Sequence, residues 1–169
     1  RFNDAASAMY QFVWHEFCDW YLELIKPDLY GKSEENKQQA QAVLFTVLQD
    51  VIKLLHPVIP FVTEEIWHSL PGDRTSVMLE PYPQENSQWN DSAAEKSASL
   101  MMGVIGGIRN IRSEMQIHPS AQMEAHVVCP DPDKSVIINE HSKEIKDLTK
   151  LTELHLQNKE EEIKLWITG

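Results

Sequence analysis

One stretch, Trp14-His15-Glu16-Phe17-Cys18-Asp19-Trp20-Tyr21-Leu22-Glu23-Leu24-Ile25-Lys26-Pro27, limits what this chain can fold into. Phe2, Met9, Phe12, Val13, Phe17, Trp20 and Leu24 recur near the helical period, which predicts one helix with a wide apolar side. Such a helix needs helical partners. Its predicted end is Lys26-Pro27, because the residue before a proline is pushed out of helical geometry.

The following segments supply the partners. Ser33 before Glu34 and Glu35 offers an N-cap with acidic first-turn residues. The helix it starts carries Ala40, Val43, Leu44, Val47, Leu48, Val51, Ile52, Leu54 and Leu55, apolar over enough of its surface to predict a central place. His56-Pro57-Val58-Ile59-Pro60 predicts a corner or kink, and helical spacing resumes by Thr63 with Phe61, Ile66, Trp67 and Leu70 inward. Pro71-Gly72-Asp73-Arg74 is turn chemistry. From there to about Asp91 the chain reads as an extended crossing segment anchored by Val77, Leu79, Tyr82 and Trp89.

A boundary is expected there, giving a helical bundle with its crossing segment over residues 1–91 and a second unit over 92–169. Asp91-Ser92 can cap a long helix to about Gln116, with Leu100, Val104, Ile108, Ile111 and Met115 in register. Gly106-Gly107 inside it predicts a kink or the close approach of another backbone, and Pro119 closes the segment. The period then changes. Met123 to Val128 alternates as a strand, 130–133 is a turn, Ser135 to about Leu148 is helical, and Leu151 to Gln157 and Ile163 to Thr168 alternate again. If Lys159 to Glu162 forms a turn, the last two strands make a hairpin. The predicted class is mainly α: a helical bundle followed by a small α+β unit.

Composition narrows the function. With 42% hydrophobic and 24% charged residues this is ordinary globular material. No apolar run approaches the roughly 20 residues of a membrane span, and no signal-peptide zones open the chain, so a cytoplasmic address is expected. Arg1 in place of methionine suggests an excised piece, or processing or trimming. Cys18 reads as a small core hydrophobe and Cys129 as a strand-end thiol, both reduced. A formal charge of -11 argues against holding nucleic acid by bulk electrostatics.

Candidate chemistry is sparse. The histidines are dispersed, with no close pair at a helical step, so no metal site is predicted; His56 and His118 read as satisfying backbone beside their prolines. No Lys-Ser or Lys-Thr pair follows the glycines, which removes a phosphate loop. Glu64-Glu65 and Glu160-Glu161-Glu162 read as solvated carboxylates. Arg109 and Arg112, three apart, share a helix face; they either grip RNA phosphates or base edges, or pair with carboxylates where the two units join. Arg1, Lys32, Lys37 and Lys53 are weaker basic candidates. Tyr10, Phe12, Trp14, Trp20, Tyr21 and Trp67 could stack on unpaired bases, with Trp20 and Trp67 reading as core. Tyr10 and Trp14 are four apart on one ridge, so an exposed ring at either position has the other as its flank.

Three ordered stretches carry a resemblance. Arg1-Phe2-Asn3-Asp4-Ala5-Ala6 running into Trp14 to Glu23 is similar to the start of the anticodon-binding helical domain of the valyl-tRNA synthetases. Leu54-Leu55-His56-Pro57-Val58-Ile59-Pro60-Phe61-Val62-Thr63-Glu64-Glu65-Ile66-Trp67 resembles a bundle motif shared by the class I synthetases for valine, leucine, isoleucine and methionine. Ile108-Arg109-Asn110-Ile111-Arg112-Ser113-Glu114-Met115 resembles a segment typical of the valine group. The likeness covers residue 1 to about 120, and beyond Ala121 it lies in element order more than in residues.

The resemblance implies recognition of the anticodon arm of valine tRNA. It also implies a parent enzyme that ligates valine to that tRNA with ATP and magnesium, through catalytic and editing domains this chain lacks. HIGH- and KMSKS-like signatures are absent, so the chain itself is expected to be non-catalytic and without a cofactor of its own. RNA-contact candidates are Arg1, Tyr10, Trp14, Lys37, Lys53, Arg109 and Arg112; neither membrane nor DNA is an expected partner. The alternatives are a helical protein-interaction module that binds no RNA, or the equivalent domain of an isoleucine- or leucine-type synthetase.

Overall fold

The computed structural model describes residues 1–118 and 120–158. It is mainly helical, with one small sheet. Two compact units divide it, Arg1–Gln88 and a second beginning at Trp89. No helix among the described residues is long and apolar enough to cross a membrane.

In the first unit, α1 (Phe2–Tyr10) runs into a π-helical stretch (Gln11–Tyr21) and then α2 (Leu22–Tyr30). The expected stop at Lys26-Pro27 is overturned: Pro27 lies inside α2, which ends before an extended Gly31. Proline forfeits one backbone bond, and packing of α2 along α3 (Glu34–Leu55) offsets that local loss. The expected apolar face is corrected too. Phe17 is buried, Met9, Val13, Trp20 and Leu24 are half-buried, and Phe2 and Phe12 face outward. The π-winding bonds each residue five ahead rather than four, so positions spaced for an α-helix drift off a single face. Cys18, expected in the core, is half-buried.

Ser33 caps α3 as the sequence predicts, its Oγ accepting from the Asn36 amide at 3.3 Å. Val51 and Ile52 are buried, whereas Val43 is exposed, so α3 is central over its C-terminal half and open over the rest. α4 (Pro60–Ser69) begins with Pro60 in its first turn, where a missing amide is harmless. The buried Thr63 hydroxyl lies 2.9 Å from the Ile59 carbonyl and 3.0 Å from that of Pro60. Its proton is committed to those carbonyls, so His56 Nδ1, 2.8 Å away, is the donor to Thr63 Oγ1. His56 therefore braces the corner through a side chain rather than the backbone.

The core of this unit is Ile52, Trp67 and Val77, with Leu48 and Leu70 against it. Trp67 Nε1 donates to the Thr75 carbonyl at 2.9 Å. Phe61, expected inward, is 89% exposed, and Ile66 also faces out. α4 is apolar on several sides, and Trp67 and Thr63 take the inner one. Of the expected anchors that follow, Val77 is buried, while Leu79, Tyr82 and Trp89 are exposed.

Glu64 departs from its reading as a hydrated carboxylate. Its Oε2 accepts from Ser76 Oγ at 3.1 Å and the Val77 amide at 3.3 Å, and its Oε1 lies 3.0 Å from His68 Nε2. Desolvation pushes this carboxyl up, but the bonds from Ser76, His68 and Val77 and the His68 charge outweigh it, leaving it below its ordinary value. Glu64 thereby ties the loop carrying Val77 back to α4.

In the second unit, Asp91 caps α5 (Ser92–Glu114), accepting from the amides of Ala93 and Ala94. The buried stripe is Met101, Ile105, Ile108 and Arg112. It shares Ile108 with the expected stripe, whereas Ile111 and Met115 are exposed. α5 carries two apolar faces, and packing by later helices selects the one that includes an arginine. Gly106 and Gly107 do not mark a close approach: α5 continues through both, and apart from chain neighbours and the helix's own nearby backbone no described atom lies within 4 Å of a Cβ built at either position. Gly107→Ala is therefore expected to stabilise this unit by about 1 kcal/mol, read as a higher urea midpoint. A lower midpoint would show that the space is not free.

β1 (Met123–Val128) pairs in parallel with β2 (Leu151–Gln157). Parallel partners need a crossover, supplied by α6 (Pro132–Glu140) and α7 (Ser142–Thr149). One helix from Ser135 was expected; two form, starting earlier because Asp131 caps α6 with Pro132 in its first turn. The break falls at His141, whose Nε2 lies 2.8 Å from Ser97 Oγ on α5. Ile138, Ile145, Leu151 and Cys129 fill the core between sheet and helices. Pro119, the expected turn over 159–162 and the strand from Ile163 to Thr168 lie outside the described residues.

Candidate nucleic-acid interface

Tyr10 closes α1 and Trp14 follows one turn on, in the π-helical stretch. Their rings are nearly parallel, 5° apart with centroids at 6.3 Å, and the residues are 56% and 55% exposed. His15 meets Tyr10 edge-on at 5.8 Å and 80°, with its Nδ1 3.2 Å from Asp19 Oδ2. Tyr10 and Trp14 thus flank each other on the exposed ridge, as their spacing predicts. His15 is a member that sequence reasoning missed, since α-helical spacing does not put adjacent Trp14 and His15 beside one tyrosine.

This ridge offers aromatic surface to solvent, the feature on which an unpaired base stacks regardless of its sequence. Below it, Phe17 stacks on Tyr21 at 5.6 Å. The Tyr21 hydroxyl is buried without a hydrogen-bond partner among the described residues, and burial pushes its pKa up.

The basic candidates separate by environment. Arg1 is exposed at the start of α1, its Nε 2.7 Å from Asp4 Oδ2. Lys37 is half-buried on α3. Lys53 lies 3.8 Å from Glu80 Oε2 and 5.6 Å from the Trp67 ring centroid, which occupies its charge within the fold. Arg109 is exposed and donates from Nη2 to the Leu148 carbonyl at 3.1 Å.

Arg112 is 8% exposed and turned inward. Its Nη1 donates to the Thr149 carbonyl at 3.3 Å, and its Nη2 to those of His118 and Ala121 at 3.0 and 2.9 Å. Arg109 and Arg112 thus share a helix face, as expected, reaching the consecutive Leu148 and Thr149 carbonyls, with Arg109 exposed and Arg112 buried. From the sequence, Arg74 reads only as part of a turn. It sits 4.3 Å over Trp67 and 5.2 Å over Phe45, and Gln49, with its amide oxygen turned toward Arg74, accepts from both terminal nitrogens.

A helical bundle presenting an exposed aromatic ridge, followed by a small βαβ unit, has the layout of a helical recognition domain. Over residues 1–128 the chain matches the family described as the anticodon-binding domain of tRNA ligase. The chain belongs to that family. It is 47% identical over 150 residues to a valine–tRNA ligase of Desulfotalea psychrophila, covering 89% of this chain and 17% of that protein. Valine–tRNA ligases of Syntrophotalea carbinolica and Geobacter sulfurreducens are 42% and 44% identical over 91% of the chain. The chain spans 17% to 18% of the length of these curated relatives.

Proposed function

We propose that this chain is the anticodon-arm recognition part of a valine–tRNA ligase, and that Tyr10, Trp14 and His15 form its base-stacking surface. The observation that carries the proposal is the exposed, near-parallel pair Tyr10 and Trp14 inside the stretch matching the anticodon-binding family. In an acidic chain, stacking on splayed bases supplies affinity that a basic surface would otherwise provide. Arg1 and Arg109 are the phosphate contacts we assign, both exposed residues, with Asp4 and the Leu148 carbonyl among their partners within the fold; Lys37 is a lesser one. Lys53 and Arg112 serve the fold. The division we propose is a base-reading part over residues 1–91 and a supporting part over 92–169.

The mechanism is positioning. Binding energy gained at the anticodon arm places the acceptor end of the tRNA in a distant active site, where the whole enzyme performs ATP- and magnesium-dependent aminoacylation in the cytoplasm. Exposed Val58, Ile59, Phe61 and Val62, clustered at the start of α4, suit contact with the catalytic and editing domains of that enzyme. The same apolar cluster favours a second reading, a protein-interaction module that binds no RNA.

Fluorescence anisotropy separates the two. Binding of this chain to valine tRNA should exceed binding to the same tRNA with its central anticodon base changed, at both low and physiological salt. Trp14→Ala should weaken it about tenfold or more, corresponding to the loss of a stacked base. Equal binding to both tRNAs, unmoved by Trp14→Ala and Tyr10→Ala, would remove the ridge as the reader.

A further inference from the structure

We propose that Glu124, His126 and His155 form a binding site for a divalent transition-metal ion, zinc by preference, on the outward face of the two-stranded sheet. The parallel register sets His126 opposite His155. Glu124, two residues before His126, shares its face because strand side chains alternate with a period of two. All three are exposed, and one ligand atom from each lies within 4.8 Å of the other two.

The geometry is near that of a tetrahedral site. Two ligands bound at roughly 2.0–2.1 Å with a tetrahedral angle between them stand roughly 3.3 Å apart. His155 Nε2 and Glu124 Oε2 are 3.4 Å apart. The imidazoles lie nearly face to face, centroids 4.7 Å apart and planes at 23°, so side-chain rotation at the surface brings in the third ligand without moving the strands. Gln157 Nε2 lies 3.4 Å from His126 Nδ1; with its amide turned so that Oε1 faces the ring, it would accept the Nδ1 proton and leave Nε2 to the ion, as an outer partner of a ligating histidine does. Glu153, opposite Glu124 in the ladder, is engaged with Lys146 at 3.7 Å.

Two imidazoles and a carboxylate suit zinc, copper and nickel rather than calcium or magnesium. With three protein ligands, the fourth position is left to water. The ion would join β1 to β2 across their exposed face, pinning a register that a two-stranded ladder holds weakly on its own.

Isothermal titration of the 169-residue chain with zinc chloride tests this directly, with circular dichroism confirming that each variant is folded. Saturable binding of a single ion is expected, weakened about tenfold or more in His126→Ala and in His155→Ala. Glu124→Gln, which preserves shape and removes the charge, should weaken it as well. Zinc should raise the melting temperature of the unsubstituted chain and leave that of the doubly substituted His126→Ala, His155→Ala chain unchanged. Absence of saturable binding, or affinity undiminished in both histidine variants, would overturn the site and assign any bound ion to other histidines or cysteines.

Discussion

Trp67→Ala is expected to destabilise the first unit by about 3–5 kcal/mol, the range for removing a large aromatic from a packed core. Trp67 is 2% exposed and forms the centre of the Ile52, Val77, Leu48 and Leu70 cluster. The cavity left behind adds to the lost burial, because α3 and α4 cannot both collapse into it. Its loss also strands the Thr75 carbonyl, which accepts from Nε1, and removes the ring beneath Arg74. Trp67→Phe separates these contributions: it keeps most of the packing and loses the indole bond, so it should cost about 1–2 kcal/mol. Urea unfolding of both variants gives the comparison. A cost below about 1 kcal/mol for Trp67→Ala would show that this cluster does not hold the unit together.

Features legible in the sequence are those decided within a few residues. Ser33 and Asp91 cap their helices because a short polar side chain meets amides two or three positions ahead, whatever the rest of the fold does. β1 is legible because alternation needs no partner to be seen. The inward face of α4 is not, since Phe61, Ile66 and Trp67 are all apolar and the choice among them is made by α3 and by Val77 on a later loop.

The π-winding of Gln11–Tyr21 is hidden for a similar reason: sequence periodicity reads the same residues as α-helical, and the different pitch redistributes which of them are covered. Two of the three residues of the proposed RNA-contacting ridge are nevertheless visible in advance. Tyr10 and Trp14 follow from their spacing, whereas His15 requires the geometry. The Glu124, His126 and His155 cluster is further removed. Alternation can send both histidines outward, but their apposition depends on a parallel register set across the α6 and α7 crossover.

Arg112→Ala is expected to destabilise the second unit by about 3 kcal/mol, because hydrogen bonds from a charged group to buried or half-buried acceptors are among the stronger contributions in a fold. One guanidinium serves three carbonyls, on Thr149 at the end of α7 and on His118 and Ala121 before β1. It thereby ties α5 to the chain just before each strand of the βαβ unit, and alanine leaves all three acceptors short of a donor. Arg112→Met retains much of the aliphatic stem while stranding the same carbonyls, so a loss close to that of alanine would assign the effect to the bonds rather than to packing. A methionine variant as stable as the unsubstituted chain would refute that assignment. Arg112→Lys keeps the charge but replaces a planar fork with a compact ammonium that cannot span all three positions, and should recover part of the loss. This variant also tests whether the residue belongs to the RNA surface. If Arg112 acts through the fold alone, the lysine variant binds valine tRNA as the unsubstituted chain does at a temperature where both are folded. A selective loss of RNA affinity in that folded variant would instead make Arg112 a contact, with its inward pose one of two states.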